Sequence, residues 1–145
     1  MNPRKNHKNR LQALLQLIAY QGANLVASDH YLNTSEQYPY LFITSGNLSL
    51  SFLQNHQYDY KYNYNINLVF RFDKDIAQQD LETQIDDLET LIVTQLASPL
   101  ARDGQGWLDC TVTNVTAPFQ DDMMVKNNVV YKTFSVTVRD TAEFA

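Results

Sequence analysis

The stretch 58–72 carries an apolar or aromatic residue at every even position: Tyr58, Tyr60, Tyr62, Tyr64, Ile66, Leu68, Phe70 and Phe72. The odd positions hold Asp59, Lys61, Asn63, Asn65, Asn67, Val69 and Arg71. Successive side chains of a strand point to opposite faces, so this strict alternation specifies an extended strand with one buried face and one wet face. At about 3.3 Å per residue such a strand reaches roughly 50 Å. A packed helix of about 18 residues covers only ~27 Å at 1.5 Å per residue. Part of the strand must therefore project beyond the helices, bend, or pair with something else. The chemistry divides along the same length. The lower half is aliphatic and phenylalanine, suited to a dry core, while the upper half is all tyrosine, whose apolar ring and polar tip suit a wet interface.

The remaining elements can be placed around this strand. Leu11, Leu14, Leu15 and Ile18 have the spacing of one buried helical face and predict a helix over 10–21, with Asn9 as a cap and Gly22 ending it in a left-handed conformation. Residues 39–44 read as a short strand begun by Pro39. Leu48, Leu50 and Phe52 alternate, and the polar segment 54–57 turns that run back into the tyrosine strand, giving a hairpin with its tip near Asn55 and His56. Leu81, Ile85, Leu88, Ile92 and Leu96 predict a second helix over 75–98, opened by an Asp75–Gln78 capping box and stopped by Pro99. A turn over 101–106 leads to a strand over 107–115 that shows Leu108, Cys110, Val112 and Asn114 on one side. A long loop, 116–128, precedes the last strand, 129–139, with Val130, Phe134, Val136 and Val138 on one face. The expected fold is α+β, two-layered, in the order α-β-β-α-β-β. Its sheet is mainly antiparallel or mixed, with both helices on one face and a long β-hairpin. The other face, with Thr111, Thr113, Thr133, Ser135 and Thr137, is polar and must meet solvent, a lumen or a neighbouring subunit.

Charge is distributed unevenly. Arg4, Lys5, Lys8 and Arg10 place +4 in the first ten residues, which read as a flexible basic arm over 1–9, or as a short contact to nucleic acid or an acidic neighbour. The other 135 residues carry seven basic against sixteen acidic side chains, a net −9. An acidic body lacks the basic groove of a nucleic-acid reader. With 145 residues and 44% hydrophobic content, one core over 10–145 is the expectation. A single cysteine fits a reducing compartment, and neither a membrane span nor a signal core is apparent.

Catalytic chemistry finds little to work with. His7, His30 and His56 are isolated, lack metal-ligand spacing and are expected to be exposed. Cys110 falls on an inward face and reads as a buried structural thiol. Glu82, Asp86 and Glu89 form an acidic helical stripe, which the helix dipole favours near an N-terminus without any ion. Gly104-Gln105-Gly106 precedes a strand and lacks the lysine of a phosphate loop. No catalytic, metal or cofactor-binding residue is expected. The tyrosines lack the basic residues that stacking on single strands requires. Tyr58, Tyr60, Tyr62 and Tyr64 are therefore the candidate subunit interface, with packing under the domain's own loops as the alternative. Phe119, Met123, Met124 and Val125 make the loop a second candidate contact, since loops of that length are commonly functional and methionines adapt to partners.

Taken in order, certain segments resemble the tail terminator, or tail completion, proteins of long-tailed bacteriophages. They are Leu14-Leu-Gln-Leu-Ile18 closed near Gly22, Tyr38-Pro-Tyr-Leu-Phe-Ile43, Asn65-Ile-Asn-Leu-Val-Phe-Arg-Phe72, Ile85-Asp-Asp-Leu-Glu-Thr-Leu-Ile-Val-Thr-Gln-Leu96 and Phe134-Ser-Val-Thr-Val138. The resemblance covers nearly the whole chain as a pattern of elements and hydrophobic positions, without a diagnostic motif. It implies a non-enzymatic virion component assembled in the host cytoplasm. Such a component forms a ring, usually of six copies, that caps the finished tail tube and joins it to the head or neck. Its implied partners are further copies of itself, the tail tube protein and a head-completion or neck protein. Genomic DNA would pass through the lumen without specific binding; no cofactor and no membrane are involved. Phe119, Met123, Met124 and Val125 would then contact tube or neck. Another neck or head-completion connector, or a small ligand-binding α/β domain, are the alternatives.

Overall fold

The computed structural model describes residues 2–29, 39–52, 57–73, 75–103, 105–120 and 128–143. Its elements, in order, are α1 (Pro3–Leu15), β1 (Ala19–Tyr20), β2 (Ala23–Asn24), β3 (Val26–Ser28), β4 (Tyr40–Phe52), β5 (Gln57–Arg71), α2 (Gln78–Leu96), α3 (Pro99–Arg102), β6 (Asp109–Val115) and β7 (Val129–Glu143). The fold is α+β. Two helices and the single turn α3 accompany a mixed five-stranded sheet, ordered β3-β4-β5-β7-β6, and a small antiparallel pair β1-β2. Among the described residues only β3 runs parallel to its neighbour, along Val26–Ser28 against Tyr40–Phe42. No helix among the described residues is long and apolar enough to cross a membrane.

Several local expectations are corrected. The first helix begins at Pro3, not residue 10: Asn2 is its cap, accepting from the Lys5 amide, and Pro3 fills the first turn where its missing N–H is not needed. What reads as a flexible basic arm is thus the opening of α1. The helix ends at Leu15, and the left-handed Gly22 (φ 82°) lies beside Gln21 (φ 50°) in the β1-β2 turn. Two consecutive positive φ values are the mark of a tight hairpin turn, which explains the glycine. The short strand at 39–44 and the alternating run at 48–52 are one strand, β4, interrupted by a bulge between Ser45 and Leu48. The expected hairpin tip at Asn55 and His56 lies outside the described residues. Further on, α2 starts at Gln78 with Ala77 as a cap lacking a side-chain bond, so the capping box does not form. Pro99 does not simply stop a helix; with Ser98 as cap it opens α3. In β6 a bulge between Val112 and Asn114 inverts the alternation, so Val115 rather than Asn114 packs toward the core.

One cluster of buried side chains holds the layers together. It joins Leu11, Leu14 and Leu15 of α1 with Leu81, Ile85, Leu88, Ile92 and Leu96 of α2, and with Ile66, Leu68, Phe70, Phe134, Val136 and Val138 of the sheet. Lys132, on the same side of β7 as Phe134, is buried as well, its ammonium 3.0 Å from Glu89 of α2. Phe134 is completely buried at the level of Ile43, Ile66 and Val115 across the sheet. Truncating a core aromatic removes its transfer energy and leaves a cavity. Phe134→Ala is expected to lower stability by about 3–5 kcal/mol in urea unfolding, whereas Thr111→Ala on the exposed face should change it by less than about 0.5 kcal/mol.

Candidate functional site

The register of β5 with β4 and β7 carries the sheet upward past the aliphatic core to Tyr58 on one side and Thr141 and Ala142 on the other. The opening turns of α1 lie across this upper part. His7 is buried, its Nδ1 2.8 Å from the Tyr64 hydroxyl and its Nε2 3.0 Å from Asp140 Oδ2. Its ring meets Tyr62, Tyr64 and Trp107 edge-on. One turn earlier, the Arg4 guanidinium donates to the carbonyls of Gly46 and Asn63 and lies 5.3 and 5.4 Å from the ring centroids of Tyr62 and Tyr64. Such stacking adds cation–π attraction to the hydrogen bonds. Burial pushes the Tyr64 phenol well above the ordinary tyrosine value, against the opposing charge of Arg4. The Tyr62 phenol is also raised, by burial first and then by Tyr60 and Asp140.

These contacts change the reading of the tyrosine row. Tyr60, Tyr62 and Tyr64 are buried in the chain's own core, and Tyr58 packs partly against it, its ring meeting Phe52 and Tyr60. Tyr62 and Tyr64 are therefore covered by Arg4 and His7 of α1, and Tyr60 is packed between the rings of Tyr58 and Tyr62 on its own strand. A histidine expected on a surface arm is a buried pin. The sequence signal for it was His7 standing four residues before Leu11 and seven before Leu14, in step with the buried face.

The uncovered apolar surface lies one strand over. Leu48, Leu50 and Phe52 of β4 stand opposite Tyr62, Tyr60 and Tyr58 and so share their face of the sheet, yet they are 42%, 56% and 68% exposed. Beyond Phe42, where β3 ends, the outer edge of β4 has no strand partner among the described residues. Exposed apolar side chains thus run beside a bare strand edge. That combination invites pairing with another chain.

The opposite face of the sheet is apolar at its lower end, where Tyr40, Phe42, Val69 and Tyr131 gather, and polar above. The hydroxyls of Thr133, Ser135 and Thr137 donate to the side-chain oxygens of Asn67, Asn65 and Asn63, their cross-strand partners, at 3.0, 3.2 and 2.6 Å. Above them Arg139 Nε lies 3.0 Å from Asp59 Oδ1. A depression of about 550 Å³ is lined here by Asp59, Lys61, Asp109, Thr111, Thr113, Thr137 and Arg139.

The other candidates separate. Of the acidic stripe, Glu89 holds Lys132 and Glu82 accepts from Gln78, and no group of three His, Cys, Asp or Glu among the described residues could hold a metal ion. His30 and His56 lie outside the described residues, as do Met123, Met124 and Val125. Phe119 is exposed and bridged to Tyr131 through both backbone hydrogen bonds. Cys110 is buried, and burial, then the charge of Asp109, push its thiol up to about 12.

Two outcomes follow. The double substitution of Tyr60 and Tyr62 by serine should destabilise the chain by several kcal/mol, on the order of 3 per ring lost from the core; unchanged urea unfolding would return those rings to a free surface. Because the raised Cys110 value favours the neutral thiol in the folded state, its contribution is complete below its ordinary value of 9.0 and lost as pH rises toward 12. Cys110→Ala should therefore flatten the alkaline fall in stability, and in the native protein a thiol-reactive disulfide should label Cys110 at neutral pH only as fast as the chain opens. No protein-family model and no curated protein matches the chain.

Proposed function

We propose that the chain is a ring-forming structural component of a phage virion, the tail terminator that caps the tail tube and joins it to the head or neck. The observation that carries this reading is the upper part of β4, where Leu48, Leu50 and Phe52 lie exposed along a strand edge without a partner among the described residues. Such a surface is costly to leave in water and suits assembly with other chains. The α-β-β-α-β-β order with both helices on one side, read from the residue pattern, accommodates it: the helical layer covers the lower sheet, Arg4 and His7 of α1 cover Tyr62 and Tyr64, and the hairpin edge is left for a neighbour. The satisfied, neutral ladder of asparagine with serine and threonine on the far face offers a passing polyanion little to adhere to. The acidic body adds repulsion. Virion location, a ring of six, and contacts with tube and neck proteins through Phe119 and the adjoining loop complete the proposal, with no catalytic role.

A second reading has its own observation. The charged and threonine-lined depression around Lys61 and Asp109 suits a polar small ligand, as in a ligand-binding α/β domain. Asp59 and Arg139 already hold each other there, which leaves less for a ligand. Size-exclusion chromatography with light scattering, followed by negative-stain imaging, separates the two. The expected result is a ring of defined mass that seats on tail tubes; a monomer at every concentration, indifferent to tube protein, would sink the proposal.

A further inference from the structure

The ring reading leaves open which surfaces meet, and the sheet itself narrows the choice. Among the described residues three stretches of edge lack a strand partner: the outer side of the three-residue β3, whose Ala27 carbonyl accepts from Gln12 and Gln16 of the α1 region, β4 beyond Phe42, and the outer side of β6, which pairs only with β7. The four strands β4, β5, β7 and β6 are antiparallel throughout, so β4 and β6 run in opposite directions. An even number of alternating strands has a simple consequence. When a copy is rotated to stand beside its neighbour, β6 of one meets β4 of the next in antiparallel orientation, and the sheet continues across the joint.

The β4 and β6 edges also match in height and in apolarity. Through the register, Leu48 is level with Tyr62, Val138 and Cys110, and Ser49 with Lys61, Arg139 and Asp109. Leu108, directly before β6 and 55% exposed, donates its amide to Arg139 and so stands near the height of Leu50. Exposed leucines therefore border both edges at one level, with Leu100 of α3 exposed on the β6 side.

Charge selects between ways of joining them. No residue of β4 is charged, so Asp109 of a neighbour would meet no carboxylate there. α1, which touches β3 and β4, carries Arg4, Lys5 and Lys8 and no acid, while its Arg10 lies against Gly106 before β6. Of the five acids of α2, which touches β6, Glu89 is paired with Lys132 and Asp87 stands near Tyr20 of β1; Asp80, Glu82 and Asp86 remain, with no base on the helix. A head-to-tail joint sets the basic flank beside the acidic one, whereas a two-fold joint of β4 with β4 sets basic beside basic. Complementary flanks favour the first arrangement and disfavour the second.

We infer that copies of this chain join head to tail, the free edge of β4 with Leu48, Leu50 and Phe52 docking on β6 and Leu108 of the next copy. The inference rests on the ring reading and specifies its interface. A repeated heterologous contact of this kind closes into a ring when the rotation permits.

The test uses Leu50→Asp and Leu108→Asp, each at an exposed position, with circular dichroism to check that the fold is kept. Each variant alone should be monomeric in light scattering. An equal mixture should give a dimer and nothing larger, because each partner retains one intact edge and only one joint can form. The variant Ser49→Cys/Asp109→Cys, with every leucine in place, should oxidise to a ladder of covalently linked chains. A Leu108→Asp variant that still assembles while Leu50→Asp does not indicates β4–β4 pairing and overturns the inference. So does a mixture that stays monomeric, or a cysteine variant that never cross-links. Rings that persist in both aspartate variants overturn the edge contact alone; a wild-type chain that never assembles overturns the ring reading with it.

Discussion

The rest of the structure depends on the unbroken pairing of β5 with β7, which runs through 15 register pairs from Gln57↔Glu143 to Arg71↔Val129. At about 3.3 Å per residue this makes a ribbon far longer than the 19-residue α2 can cover at 1.5 Å per residue. A mismatch of that size has few remedies. The upper ribbon must be roofed by another element, be made polar, or be left with apolar groups open, and all three occur in this chain. Over Tyr62 and Tyr64 of β5 the roof is α1, on the far face asparagines and hydroxyls satisfy one another, and at β4 the apolar side chains are left open.

The roof explains why polar groups are buried where tyrosine alone would serve as packing. A basic helix opening laid on aromatic rings gains from Arg4 on the faces of Tyr62 and Tyr64, and from His7 bonded on both nitrogens. Buried polar atoms cost stability unless each has a partner. Here the partners come from three elements, Tyr64 of β5, Asp140 of β7 and the backbone of β4 at Gly46, so the same contacts that satisfy α1 also fix its position over the ribbon. The basic charge of the first residues reads as solvation in one dimension. In three dimensions it is the complement of an aromatic, carbonyl-rich floor.

This also marks how far the sequence could be read. The alternation of 58–72 and the leucine face of α2 were legible because each pattern is carried by many residues that agree, and their elements stand where the periodicity puts them. The start of α1 was hidden because Lys5, Lys8 and Arg10 are not the residues by which a buried face is recognised. The informative signal was instead Asn2 before Pro3, a cap and a first-turn proline. The bulges in β4 and β6 were hidden for a different reason. A bulge depends on the partner strand, and nothing local to Val112 announces the one in β6; for β4 the broken alternation at Gly46 was the available trace. The candidate site moved by one strand because the alternation identifies which residues share a face and not what covers them.

That leaves the contrast between the two halves of the β4 edge. Natural sheets protect bare edges with charge, proline, bulges or a covering element. Below and at the bulge this edge is protected, by β3 along Tyr40–Phe42 and by the Arg4 guanidinium on the Gly46 carbonyl. Above it, Leu48-Ser49-Leu50-Ser51-Phe52 has no charge, no proline and, among the described residues, no strand on its outer side, and its apolar side chains become more exposed toward the tip. A chain that guards half of one edge and leaves the other half apolar has not neglected the hazard of edge pairing. The protected half has its backbone taken up within the chain, and the open half keeps an apolar, unguarded edge of the kind along which sheets are commonly extended.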